Sequence, residues 1–322
     1  MTWQVYFTPS RRGGMGMFLN VAKHVIADLG YNRPTDQHET HNDEERRALV
    51  ACFALSAMTA LAIKAEPMRW SASIARACDR LAQNVDNNGD AVLVAMARIS
   101  RVSVDAYNTI QQILDDPASA SHAVSQVRAL RTMLDMVKSS FTHAQQQDSM
   151  VLCYLYSTEV QIHEAVLYDL SPPPSNTLDL QRIEYLTACL HACKASLDNY
   201  LTIPSITMNM VTVLAFSNSC QVLYTLSVID YLGWDRNAAR ATADVLWYFD
   251  HVCIRFEEAC RQLQQESGSD DNVYSLAGGH EGLKAVSAKW RESLETATGS
   301  GTVFAAGLGS MGDMWMTNAD MW

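Results

Sequence analysis

Along the chain, apolar residues recur at steps of three and four, the period of one helix face, and this spacing predicts a ladder of helices. The first has the apolar face Phe18, Val21, Ala22, Val25 and Leu29 and ends at Gly30, a natural C-terminal glycine. Asn42 and Glu45 have the spacing of a capping box. They open a helix that runs through Leu49, Cys52, Phe53, Ala57, Ala60 and Ile63 until Pro67 stops it. Arg46 and Arg47 fall in its first turn, where the helix dipole disfavours cations, so carboxylate partners are expected. A short segment with Ile74, Cys78 and Leu81 leads to the turn-rich run Asn84 to Gly89. Asp90 can cap the helix that follows, with Val92, Met96, Ile99, Ala106, Ile110 and Ile113 on one face. Two more helices carry Val124, Val127, Leu130, Leu134, Val137 and Phe141, and then Leu152, Leu155, Ile162, Val166 and Leu170.

Pro172 to Pro174 cannot continue a helix and mark a candidate internal boundary near 171–176. Beyond them, Ile183, Leu186, Leu190, Cys193 and Leu197 form another stripe. The region Ile203 to Leu232 then has no Lys or Arg, but Pro204, Asn209, Asn218, Gln221 and Asp230 interrupt it, which favours a buried core helix over a membrane span. Gly233 breaks that run, and Ala241, Val245, Tyr248, Val252, Phe256 and Leu263 share one face. This predicts a long amphipathic helix with Trp234 at its corner and Asp235 as N-cap. Arg240 and Asp244, four apart, are candidates for an ion pair. After Ser267 the composition shifts to Ser, Gly, Asp and Asn, with one short helix expected around Leu283 to Leu294 and a Gly-rich run from Thr298. No alternating run is long enough for a strand. The expected fold is all-α, with a flexible segment 1–16, a helical domain 17–265 and a mostly disordered tail 266–322.

With 48% hydrophobic and 18% charged residues in 322, the chain can bury a sizeable core. Its net charge of −11, with no cluster of Lys and Arg, argues against wrapping nucleic acid. The eight cysteines include no pair at the two-residue gap of a zinc or redox motif. Cys189 and Cys193, one turn apart, are read as core residues and not as half a metal site. The glycines Gly13, Gly14 and Gly16 lack the strand and the Lys-Ser ending of a phosphate loop. His38, Glu39, His41 and Asp43 lack the helical spacing of a zinc protease. No cofactor, metal or catalytic residue is assigned, because Asp115-Asp116 and Asp270-Asp271 have no third carboxylate at helical spacing and no nucleophile motif is present.

The candidate contacts for a ligand or partner are Arg69 with Trp70, and Glu159 with His163. Glu159 takes an otherwise apolar position, with His163 one turn later on the same side. Such a pair can be a ligand contact or acid–base pair, and its ordinary reading is an ion pair at the edge of the stripe. The segment Met311 to Trp322 mixes Asp313 and Asp320 with Trp315 and Trp322. That composition belongs to activation segments that fold on a partner and equally to ends that dock on their own domain.

In order, these segments resemble the regulatory middle homology region of fungal zinc-cluster transcription factors, which join a Zn2Cys6 DNA-binding domain to a large all-helical domain. Ala22 to Pro34 (AKHVIADLGYNRP), with Asp28, Gly30 and Arg33, is similar to that family's Ala-x-Asp-Leu-Gly-Leu-His-Arg helix end, though Tyr31 and Asn32 replace its Leu and His. Glu44 to Arg47, with Glu45 and Arg46, leads into an apolar helix as in the family. Met68 to Leu81 resembles the Leu-Arg-Trp-Thr segment of its secondary-metabolite regulators, and Asp90 to Arg101 resembles the helix that follows. Trp234, Asp235, Arg240 and Asp244 resemble its Trp-Asp, Arg and Asp positions. The resemblance implies a non-enzymatic regulatory domain in the nucleus, with the cytoplasm as the alternative location. Its implied partners are coactivators or an intact zinc-cluster factor, a small-molecule effector, or a second copy in a homodimer, with no membrane. The alternative is a stand-alone enzyme or ligand-binding protein on the same fold. The chain has no Cys-x2-Cys-x6-Cys element, so direct DNA contact is not expected of it.

Overall fold

The computed structural model describes residues 14–31, 42–63, 66–84, 87–116, 123–168, 178–204, 210–267 and 284–295. All regular structure among them is helical, so the chain is all-α as its periodicity predicts. It divides into two compact units between Asp169 and Leu170. Pro172 to Pro174, Arg33, the loop histidines at 38 and 41, and Asp313, Trp315, Asp320 and Trp322 lie outside the described residues.

The first unit contains α1 (Gly14–Asp28), α2 (Asp43–Ile63), α3 (Ala72–Leu81), α4 (Asn88–Asp115), α5 (Ala123–Ser139), α6 (His143–Gln147), α7 (Ser149–Glu164) and a 3-10 turn, Ala165–Tyr168. α4 is its axis, packed by α2, α7 and α5, with α3 against α2. Ile99, Val102, Ala106, Ile110 and Ile113 are all buried along α4. Where α4 meets α7, the Ser103 hydroxyl donates to Gln161 Oε1 at 2.5 Å, so a buried polar pair is satisfied inside an apolar seam.

The capping box forms reciprocally, Glu45 N–H to Asn42 Oδ1 at 3.0 Å and Asn42 N–H to Glu45 Oε2 at 3.1 Å. Both arginines have the expected partners. Arg46 pairs with Asp43 at 2.7 Å, and Arg47 pairs with Glu44 at 2.8 Å. Arg47 also forks onto Asp90, Nε to Oδ1 at 2.7 Å and Nη2 to Oδ2 at 2.9 Å. Asp90 is therefore not the cap of α4. Asn87 caps it, accepting from the Gly89 amide, while Asp90 is 2% exposed in the first turn and ties α4 to α2. The hydrogen bonds from Arg47 hold the Asp90 carboxyl below its ordinary range.

α1 departs from its expected face. It closes at Gly30 (φ 77°) in a Schellman arrangement, with Tyr31 N–H to Ile26 O at 3.1 Å and Gly30 N–H to Ala27 O at 3.0 Å. It starts at Gly14, however, inside the segment expected to be flexible, and it buries Leu19 and Ile26 while Phe18, Val21, Val25 and Leu29 stay exposed. Two apolar stripes run along this helix with the same period, and period does not say which one is buried.

The second unit contains α8 (Leu180–Thr202), α9 (Met210–Val228), α10 (Arg236–Thr242), α11 (Val245–Ser267) and α12 (284–295). Val211–Val228 is long and apolar enough to cross a membrane by length and composition, but 72% of it is buried within the protein. α9 is the unit's packing centre, against α8, α10 and α11. Cys189, Cys193 and Cys220 are all buried. Ser219 donates to Ser196 at 2.8 Å across α8 and α9.

The single long helix expected after Asp235 is two. Ala243 is extended (φ −149°, ψ 114°) and buried, and Asp244 restarts the chain by accepting from the Leu246 amide at 2.9 Å. α12 lies where a short helix was expected around Leu283 to Leu294, inside a tail otherwise expected to be mostly disordered, and its Trp290 is among the largest fully buried side chains. It stacks on Tyr224 of α9 (centroids 4.6 Å apart) and meets Phe249 of α11 edge-on at 5.1 Å.

Asp90→Asn takes the buried carboxylate away from Arg47 but leaves that guanidinium its Glu44 partner and part of its solvent, so it is expected to lower the unfolding free energy by about 2 kcal/mol, the worth of hydrogen bonds to a charged group. Urea unfolding followed by far-UV circular dichroism measures this, and Arg47→Met in the Asp90→Asn background should cost far less than it does alone.

Candidate functional site

Arg69 and Trp70 lie on the extended segment 66–71, which docks on α2 through the Met68 amide to Ser56 Oγ at 3.0 Å. The two side chains diverge. Arg69 is 89% exposed and pairs with Glu66 at 3.3 Å. Trp70 is half-buried, edge-on to Phe53 of α2 at 5.2 Å, with the Arg101 guanidinium of α4 over its ring at 5.4 Å. The indole thus joins α2 to α4, and its packing role is set by neighbours far away in sequence.

Glu159 and His163 do not form the expected ion pair. His163 is 1% exposed, and burial, with Arg131 adding to it, pushes its pKa down to about 4, so the imidazole is neutral near pH 7. Glu159 is half-buried, and burial pushes its pKa up, opposed by Lys138 and Arg131 of α5. The charges that face this carboxylate come from α5 and not from the histidine one turn away. A half-buried carboxylate facing Lys138 and Arg131, with Asp135 also near, can accept hydrogen bonds.

The Trp234 corner is structural chemistry. Gly233 takes φ 86°, the left-handed region, and the Trp234 amide donates to Tyr231 O at 2.9 Å. The indole Nε1–H donates to Leu226 O at 2.8 Å and the Arg240 Nε–H to Ser227 O at 2.9 Å, so both side chains close the C-terminal carbonyls of α9. Asp235 caps α10, accepting from Asn237 at 2.9 Å and Ala238 at 3.0 Å. Among the described residues no ion pair joins Arg240 to Asp244, which is engaged in capping α11. Asp28 lies exposed in the last turn of α1.

Two further contacts carry no local sequence signal. Tyr248 donates to Asp198 Oδ1 at 2.5 Å, and Arg255 donates to the carbonyls of Leu201 and Ile203 at the end of α8. Both join residues at least 50 positions apart. Among the described residues no group of three or more His, Cys, Asp or Glu is placed to hold a metal ion.

With this geometry in view, comparison with known proteins gives a direction. The chain is similar to a fungal transcription factor. It is 24% identical over 293 residues to Transcription factor opdL of Penicillium oxalicum (strain 114-2 / CGMCC 5302), a match covering 80% of this chain and 50% of that protein. The chain thus spans half the length of this relative. No family model matches it, and no solved structure does.

His163 generates a pH prediction. Its folded pKa lies below the ordinary 6.5, so between pH 6.5 and about 4 the unfolded chain binds a proton that the folded chain does not. This contribution to stability is complete above pH 6.5 and falls by roughly 3 kcal/mol as the pH drops to 4. His163→Gln should flatten that part of the curve of unfolding free energy against pH, and an unchanged slope would show that another group sets it.

Proposed function

We propose that this chain is the helical regulatory portion of a fungal transcription factor, acting in the nucleus through protein or small-molecule contacts and not through DNA. The observation that carries the reading is the match to Transcription factor opdL, whose 80% coverage of this chain exceeds what either compact unit contains and so extends over both. The net charge of −11 supports a role apart from the phosphate backbone. The resemblance of Met68 to Leu81 to secondary-metabolite regulators favours target genes of that kind.

In this reading the acidic-aromatic segment with Asp313, Trp315, Asp320 and Trp322 contacts coactivators, or the chain associates with an intact zinc-cluster factor. The polar corner at Glu159 and the Arg69–Trp70 segment are the places for a small-molecule effector or partner, and the reading assigns no catalytic role. Residues 296–322 fused to a heterologous DNA-binding domain should activate a reporter, and Trp315→Ala with Trp322→Ala should lower that signal about tenfold. A silent fusion removes the coactivator contact, and specific DNA binding by the purified 322-residue chain removes the indirect mode of action.

A further inference from the structure

In the second unit, the start of α8 rests on the Gly233 corner, and three leucines meet there in the open. Leu178, just before the Asp179 cap, and Ile183, in the second turn of α8, hold the two positions of a hydrophobic staple. Both lie on the backbone of Gly233, where a Cβ would collide with Leu178 Cδ1 and with Ile183 Cδ1. Leu232 is next in the chain to that glycine, and Leu180 precedes Ile183 by one helical turn. Leu178, Leu180 and Leu232 are 48%, 69% and 50% exposed. Together they offer roughly 300 Å² of apolar surface, within the range at which a patch on a monomer marks an interaction site.

The rim of this patch carries mainly one sign of charge. Asp179 sits between Leu178 and Leu180, and Glu184 follows Leu180 by one turn of α8. Asp230 and Asp235 flank the corner on either side of Leu232. Glu184, Asp230 and Asp235 are exposed, and Asp179 is partly so. Asp235 uses Oδ1 for both of its capping amides, and an ionised carboxylate has a second oxygen that can accept further donors. Of the cations here, Arg182 is buried against the Tyr231 ring and Arg236 is half-buried. An occupant with acidic flanks would meet like charge, and a purely apolar one would strip water from the carboxylates and replace it with nothing. The occupant that suits both parts brings apolar side chains to the leucines and Lys or Arg to the rim.

We propose that the patch of Leu178, Leu180 and Leu232 docks a basic amphipathic helix of a partner protein, with its apolar stripe on the leucines and its Lys or Arg side chains on Asp179, Glu184, Asp230 and Asp235. The carboxylates come as two pairs, one from the start of α8 and one from the corner, and an amphipathic helix answers them in a single element, a stripe of apolar side chains bordered by charge. This names a surface for the protein contacts of the proposed function, and it rests on that reading only in taking the occupant to be another protein.

The probe is a fluorescein-labelled helical peptide of about 18 residues with leucine on one face and lysine on the other, titrated with the 322-residue chain by fluorescence anisotropy. It should bind with a Kd on the order of 30 μM. Leu180→Ala and Leu232→Ala should each weaken binding at least about fivefold, with unchanged circular dichroism because both sites are exposed. The same peptide with glutamate in place of lysine should bind at least about tenfold more weakly, and Glu184→Lys with Asp230→Lys should reverse that preference. The proposal is overturned by a chain that binds neither peptide at about 300 μM, by equal binding of the two peptides, or by binding that neither leucine substitution changes. Loss of binding in Val25→Glu, on the exposed face of α1, overturns it too and puts the occupant on that helix. A silent reporter fusion leaves these outcomes unchanged, and their failure leaves the reporter result standing.

Discussion

An all-helical protein has to find partners for the amides and carbonyls that every helix leaves open at its ends, because buried and unsatisfied they cost more than a hydrogen bond returns. Here that requirement accounts for several of the long-range polar contacts. Trp234 and Arg240 close α9, and Arg255 closes α8. In each case one side chain satisfies an end and also brings two helices to a fixed crossing. Specificity of packing is thereby written at helix termini, where polar geometry is strict, more than along the apolar seams, which tolerate exchange.

The same logic separates polar groups that hold the fold from those that leave chemistry available. The Arg47–Asp90 fork is spent on the fold, with Asn84 also donating to Asp90 at 3.1 Å, and its carboxylate is buried. The corner at Glu159 differs. Its carboxylate is opposed by charges from a neighbouring helix and lies next to an imidazole that burial keeps neutral.

Most helices were legible from period alone, since Leu49, Phe53, Ala57 and the stripe through Leu186, Leu190, Cys193 and Leu197 are buried as the spacing requires. Period failed where two stripes competed, as on α1, and where a helix break rested on one extended residue, Ala243, between a caught turn and a new cap. The capping box at Asn42 and Glu45 was readable because both partners are three residues apart. The role of Asp90 was not, because its partner lies 43 positions away and Asp is equally at home as a cap. The ionic reading of Glu159 and His163 failed on burial, which sets the protonation of an imidazole and which no local pattern reports.

Trp290 bears on how this gene tolerates change. It belongs to a helix that follows a polar stretch of the kind readily taken for the end of a domain, yet its ring fills the space between Tyr224 and Phe249. A nonsense codon or a splicing error anywhere in 268–283 would look, on paper, like the loss of a dispensable tail. In the cell it would produce a protein whose second unit has a hole in its core and two aromatic rings facing water, a substrate for quality control and not a shortened regulator.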